Sequence, residues 1–395
     1  MFKNIKKQFQ DEILKIKESG MYKDEKIIEG MQGTEIKVEG KTFLNFCANN
    51  YLGLASSREL INVAKKNLDN YGFGMASVRF ICGNSTVHKD LENEISKFFG
   101  TSDALLYTSC FDANAGLFEA ILKEGDAVLS DELNHASIVD GVRLCKADRF
   151  IYKHSDMQDL EDKLKSLGQR NKILIASDGV FSMDGDTAKV VLLCDLAEKY
   201  RTMLMIDDSH ASGVLGQSGR GSVEGLMDRV DILTSTFGKA LGGAGGGFTT
   251  GRKEIIEYLK QKSRTSLFSN NLPPMIAGAA LYILSNFDKE FNSLRQKLIE
   301  NTKYFRDQMQ SLDFNLGGDG SHPITPVMLF DEKLTTDMAQ KLFLNGIYVR
   351  GFTYPVVPKG KARIRIQLSS SHTKEQIDKA IEIFAKIGKE MGVIK

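Results

Sequence analysis

The chain reads as an α/β protein in which a large domain built on a mostly parallel sheet is followed by a smaller α+β C-terminal domain. Three observations carry this. Five short apolar runs (residues 104–107, 127–130, 173–177, 203–206 and 230–233) are separated mostly by segments long enough for helical crossovers. Polar residues gather at the carboxyl end of each run: Thr108-Ser109-Cys110, Ser130-Asp131, Ser177-Asp178, Asp207-Asp208-Ser209-His210 and Thr234-Ser235-Thr236. The last hundred residues change character, and Arg363, Arg365 and Gln367 alternate there with Ile364, Ile366 and Leu368 at the period of a half-buried strand.

The helices follow from spacing. Leu91, Ile95 and Phe98 recur at helical intervals and Gly100 stops the run, which predicts a helix ending there. Thr373 and Gln376 form a capping-box pattern before the apolar stripe Ile377, Ile381, Phe384 and Ile387, the signature of a final helix. Near the start, Ile5, Phe9, Ile13 and Ile16 fall on one helical stripe among mixed charges, unlike the apolar or acid-poor leaders of exported chains. These elements divide the chain into an N-terminal helix with short strands (1–45), a large α/β domain (46–285) and a C-terminal α+β domain (286–395).

With 395 residues, 42% of them hydrophobic, there is enough chain for a large core. A net charge of +1 gives no electrostatic reason to expect nucleic acid or a membrane surface as partner. The longest apolar stretch, residues 273–284, is too short to span a bilayer and contains two prolines. Five scattered cysteines without CxxC or metal-ligand spacing fit a reducing cytoplasm and predict no metal site.

In open parallel sheets ligands bind at the carboxyl edge, where the five polar clusters lie, although each cluster also suits helix caps. Lys239 follows the last run and precedes a glycine cluster, where a desolvated amine could attack an aldehyde; a solvated loop lysine is the plain alternative. Asp207 ends an apolar run and could pair with a pyridinium, or serve as a cap or core ion-pair partner. His210, three residues on, could meet a ring hydroxyl or simply pack. A Schiff-base lysine, a buried acid and phosphate donors are what pyridoxal phosphate requires of a protein, and all three are present.

The segments FCANNYLGL (46–54), GFGMASVRFICGN (72–84), YTSCFDANAGLF (107–118), SDELNHASIVDGVRL (130–144), SDGVFSMDGD (177–186), IDDSHASGVLGQSGRG (206–221), TSTFGKALGGAGGG (234–247) and YPVVPKGKARIRIQLS (354–369) together resemble the α-oxoamine synthase family. The resemblance covers nearly the whole chain and implies the fold-type I architecture of pyridoxal phosphate transferases, as in aspartate aminotransferase. It implies that Lys239 carries the cofactor and then moves the substrate α-proton, that Asp207 pairs with the pyridinium, that His210 meets the ring hydroxyl and that His135 stacks on the ring. Without the resemblance, His135 reads as a helix-start residue.

Under the same resemblance the phosphate meets the backbone amides of Cys110 and Phe111 at a helix start, the Thr236 hydroxyl, and Ser269 from the partner subunit of a homodimer. Ser182 is expected near the ring. Arg365, helped by Asn49, would hold a substrate carboxylate, with Arg363 as rival on the same strand face. The run 242–247 reads as backbone packing room behind Lys239.

The subgroup that GMASVRF favours interconverts glycine and acetyl-coenzyme A with 2-amino-3-oxobutyrate and coenzyme A, a Claisen-type step through a quinonoid carbanion that belongs to threonine breakdown. The alternatives are a sister activity with another amino acid or longer acyl chain, such as 8-amino-7-oxononanoate synthesis, and a silent partner subunit. Two departures stand out. Asp178 occupies a position where several relatives carry Glu, and residues 187–193 are rich in β-branched residues where prolines and smaller residues are expected.

Overall fold

The computed structural model describes residues 2–18 and 21–395. Its centre is a seven-stranded sheet of β1 (Asp103–Tyr107), β2 (Ala127–Asp131), β3 (Asp148–Tyr152), β4 (Ile173–Asp178), β5 (Met203–Asp207), β6 (Ile232–Thr236) and β7 (Gly247–Gly251). Their spatial order is β1-β7-β6-β5-β4-β2-β3. The five strands from β6 to β3 pair in parallel, and β7 lies antiparallel to both β1 and β6.

The apolar runs are continuous because both faces of the sheet are covered. Leu106, Leu129, Ile175, Leu204, Ile206, Leu233 and Phe248 enter one core. Their strand neighbours Leu105, Val128, Leu174, Met205 and Ile232 enter a second core on the opposite face. That second core is closed by the helices Cys110–Ile121, Ala136–Leu144 and Lys253–Lys262. The first is closed by Thr86–Phe99, Met157–Ser166, Val190–Tyr200 and Pro274–Asn286. Gly100 ends the helix Thr86–Phe99 in the left-handed conformation (φ 70°), as its place in the sequence predicts.

Three strand readings change. The run at 230–233 starts later, at Ile232, and continues through Thr234, Ser235 and Thr236, which the sequence placed beyond the strand. A strand tolerates those hydroxyls because Thr234 donates to Asn114 Oδ1 (2.8 Å) and Ser235 to Ser212 Oγ (2.9 Å). β7 was hidden in a Gly/Thr composition that reads as a turn. β3 was hidden by its exposed, charged edge position.

In the C-terminal part, Ala362–Gln367 pairs antiparallel with both Ile324–Phe330 and Arg350–Phe352. The helix Lys374–Glu390 packs Ile377, Ile381, Phe384 and Ile387 inward, and its capping box between Thr373 and Gln376 is formed. Lys41–Asn45 pairs in parallel with Ile347–Tyr348, which ties the early strands to the late part of the chain. Residues 187–193 enter the helix Val190–Tyr200 with Val190 and Leu193 buried, and Thr187 donates through both N–H and hydroxyl to Asp319. No helix among the described residues is long and apolar enough to cross a membrane.

Candidate active site

A cavity of about 200 Å³ opens at the carboxyl edge of the sheet, and segments following five of its strands line it. Ser109, Cys110 and Phe111 come from the end of β1, His135 and Ser137 from β2, Asp178 and Ser182 from β4, Asp207, Ser209 and His210 from β5, and Thr236 and Lys239 from β6. Four of the five polar clusters that could have been no more than caps therefore converge on one site; the fifth, Ser130-Asp131, lies outside it, and Asp131 binds His154 instead. Some are caps as well. Ser109 accepts from Asp112 N–H at the start of the helix Cys110–Ile121, and His135 Nδ1 accepts from Ser137 N–H at the start of Ala136–Leu144.

Asp207 closes β5 and is 3% exposed. One of its carboxylate oxygens accepts from Asn114 Nδ2 at 2.6 Å and the other from Ser209 N–H at 2.9 Å. Its neighbour Asp208 points the opposite way, as successive strand positions must. It binds Ser212 Oγ and Ser222 N–H behind the sheet, and burial pushes its carboxyl up to about 7. Only the first of the two aspartates serves the cavity.

Lys239 lies within reach of that field. Desolvation lowers the Lys239 amine below its ordinary range, and the nearby Asp207 charge opposes the shift. Burial also lowers both cavity histidines, His210 well below 6.5. Both are therefore neutral near pH 7. Asp178 accepts from His135 N–H at 2.6 Å, and its carboxyl is raised by burial and then by the Asp207 charge.

The helix Cys110–Ile121 aims its start at the cavity, where its first N–H groups are free of intrahelical partners by geometry. Gly247 makes this close approach possible: an ideal Cβ there would come within 2.5 Å of Ser109 C and 2.6 Å of Cys110 Cα. Within the run 242–247, Gly247 alone seats this helix end, while Gly242, Gly243 and Gly246 pack against Ile283, Ala55 and Leu272. Thr236 Oγ1 already donates to Gly246 C=O (3.0 Å) and accepts from Gly238 N–H (2.9 Å). Ser269 is half-buried and does not line the cavity of its own chain.

The structure separates the two rival arginines. Arg363 is 2% exposed and committed to Asp184, Met183 C=O and Lys361 C=O. Arg365 has no carboxylate partner among the described residues. It donates to Ser182 C=O at 2.9 Å and lies 4.9 Å from the Phe352 ring centre. The Gln367 amide oxygen meets Arg365 Nε and Nη2 at 3.1 and 3.2 Å, and at 2.9 Å it accepts from Asn49 once the Asn49 amide is turned to present its nitrogen.

Three further residues carry the site and were missed in the sequence. Asn114 is fully buried and bonds Asp207, Ser137 Oγ (2.9 Å) and Thr234. Its place one helical turn after Cys110 was the available signal. Tyr51 is buried with its hydroxyl 2.8 Å from His210 Nδ1, and it stood two residues from Asn49. His154 bridges Asp131 (3.0 Å) and Asp186 (2.8 Å), bracing the loop that carries Ser182; no spacing rule pointed to it.

Fold and cavity together define an enzyme-like site at the carboxyl edge of an α/β sheet. A sequence model of class I and II aminotransferases matches residues 41–384, and the chain belongs to that family, within its α-oxoamine synthase branch. It is 52% identical over 393 residues to 2-amino-3-ketobutyrate coenzyme A ligase of Escherichia coli K12, covering 98% of each chain. It is 47% identical to 8-amino-7-oxononanoate synthase of Thermosipho melanesiensis, again covering 98% of each. Among solved structures, serine palmitoyltransferase from S. paucimobilis with a bound PLP–myriocin aldimine superposes with a TM-score of 0.92 at 27% identity, over 99% of both chains.

Proposed function

We propose that this chain is a pyridoxal phosphate-dependent acyltransferase that interconverts glycine and acetyl-coenzyme A with 2-amino-3-oxobutyrate and coenzyme A. The observation that carries the reading is one cavity holding a depressed amine (Lys239), a buried carboxylate (Asp207), a helix start (Cys110, Phe111) and, at its rim through Ser182, a guanidinium free of carboxylates (Arg365). The 52% identity to a ligase of that name supports the choice of substrates.

The donor set fits pyridoxal phosphate. Asp207, held by Asn114 and Ser209, faces the cavity as a carboxylate suited to a pyridinium N–H. The helix start offers N–H groups to a phosphate. Lys239 is the amine for the aldehyde, and His135 and His210 flank the same space. When bound, the cofactor supplies an electron sink for a carbanion at the substrate α-carbon.

The remaining work belongs to the protein. Arg365 and Asn49 hold the glycine carboxylate and so orient the α-carbon, which decides which of its bonds is aligned for cleavage. Lys239 Nζ takes the α-proton, and desolvation favours its uncharged form relative to an ordinary lysine. Asp207 is held in place by Asn114 Nδ2 and Ser209 N–H. His210 donates to the ring hydroxyl, and the Thr236 hydroxyl adds to the phosphate site by exchanging its bond to Gly246 C=O for one to the phosphate.

The same proposal includes a cytoplasmic homodimer in which Ser269 reaches the partner's phosphate site. Phe73, Phe80, Ile81 and Phe268 are each more than 60% exposed on a single chain, which supports a covering partner. Purified protein offered glycine and a panel of acyl-coenzyme A thioesters should release thiol fastest from the acetyl ester. A preference for pimeloyl or palmitoyl esters would move the chain to the activity named for its Thermosipho relative or to another sister. Absence of turnover with every thioester would favour a silent subunit.

A further inference from the structure

We infer that Tyr51 and Gln367 are positioning residues that fix His210 as an Nε2–H donor and tie it to Arg365 through one hydrogen-bond chain. This rests on the assignment of His210 to the cofactor hydroxyl and of Arg365 to the glycine carboxylate. The chain can be followed proton by proton. Arg365 Nε and Nη2 can only donate, so the oxygen of the Gln367 amide must face them, at 3.1 and 3.2 Å. The amide nitrogen then donates to Tyr51 Oη at 3.2 Å.

Tyr51 is wholly buried, and desolvation raises its hydroxyl well above the ordinary range, so it keeps its proton. Having accepted from Gln367, it has one acceptor for that proton among the described residues, His210 Nδ1 at 2.8 Å. Nδ1 of a neutral His210 is therefore bare, and the ring proton sits on Nε2, the nitrogen left for the cavity. The backbone of His210 is held as well. His322 Nε2 donates to the His210 carbonyl at 2.9 Å, and His322 Nδ1 accepts from Ile324 N–H at 3.1 Å. Tyr51 packs edge-on against both imidazoles.

Two consequences follow. A neutral imidazole with a fixed Nε2–H favours the deprotonated form of a ring hydroxyl that it meets. A carboxylate arriving at Arg365 perturbs the same chain that sets the donor, so substrate binding is felt at His210 without a change of fold.

The test uses 15N NMR of histidine-labelled protein free of cofactor. The chain has six histidines, and His210 is assigned by the signal lost in His210→Gln. Wild type is expected to show bare Nδ1 and protonated Nε2 across neutral pH. Tyr51→Phe is expected to shift His210 toward the Nδ1–H form. Gln367→Glu, which offers Tyr51 an acceptor in place of a donor, is expected to do the same and serves if the Phe variant fails to fold. In the loaded enzyme Gln367→Glu should also raise the glycine KM about tenfold by pairing with Arg365, whereas Tyr51→Phe should act mainly on kcat. A wild-type His210 carrying its proton on Nδ1, or an unchanged tautomer in both variants, would overturn the inference. Because the tautomer is read without turnover, its failure is separable from failure of the proposed activity.

Discussion

Gly247→Ala is the sharpest probe of the proposed phosphate cradle. The new Cβ would lie 2.5 Å from Ser109 C and 2.6 Å from Cys110 Cα, where ordinary contact begins at 3.4 Å. Cys110 N lies nearer still, so the helix start must retreat by about 1 Å, and the atoms in the way are backbone, so no rotamer relieves the clash. Overpacking of this kind costs about 1–3 kcal/mol of stability. Loss of one charge-assisted hydrogen bond to phosphate costs about 1.5–3 kcal/mol, or roughly a 10- to 100-fold weaker cofactor affinity. The assay is titration of cofactor-free protein with pyridoxal phosphate, followed by absorbance, alongside a thermal melt. Gly245→Ala is the control, since nothing lies within 4 Å of a Cβ there. If Gly247→Ala folded and bound the cofactor as tightly as wild type, the placement of the phosphate at this helix start would be wrong.

Other outcomes follow from the same geometry. Arg365→Gln should raise the glycine KM roughly 10- to 100-fold, while Arg363→Gln, which breaks an ion pair between a buried guanidinium and the half-buried Asp184, should show in the melting temperature first, costing about 1–3 kcal/mol. Asn114→Leu leaves one Asp207 oxygen without its donor and should cost about 1–3 kcal/mol together with weaker cofactor binding, read by melts and titration. For His154, burial pulls the imidazole down, but the hydrogen bonds and charges of Asp131 and Asp186 outweigh it and lift it to about 10. The folded state thus holds this proton more tightly than the unfolded chain. The stabilisation is full below about 6.5 and lost as pH rises through about 10, so the stability difference between wild type and His154→Gln should shrink across that window. Lys239→Ala should lose the linkage to cofactor that borohydride traps, measured by mass spectrometry of the reduced protein.

Much of this architecture was visible along the chain because its strands are buried on both faces and read as unbroken apolar runs. The site was visible because ligands of a parallel sheet gather where those runs end, and the order of motifs identified the chemistry. What stayed hidden has physical causes. β7 buries Thr249 and Thr250 in a setting that only tertiary pairing creates, and its glycines announce a turn. Asn114, Tyr51 and Gln367 act on other side chains across 93, 159 and 318 residues of sequence, so closeness to Cys110 and Asn49 could flag the first two but not name their partners. The sequence favoured Arg365 over Arg363, but what occupies Arg363, the carboxylate of Asp184, only the folded loop reveals.

The central claim is that Lys239 and Arg365 act together on the α-carbon of glycine, and hydrogen exchange tests it most directly. Protein loaded with pyridoxal phosphate and given glycine in D2O, without any thioester, should exchange one α-hydrogen for deuterium, and should do so poorly with alanine or serine. The Lys239→Ala variant should exchange none. A loaded wild-type protein that left glycine unlabelled, or that exchanged alanine and serine equally well, would contradict the account.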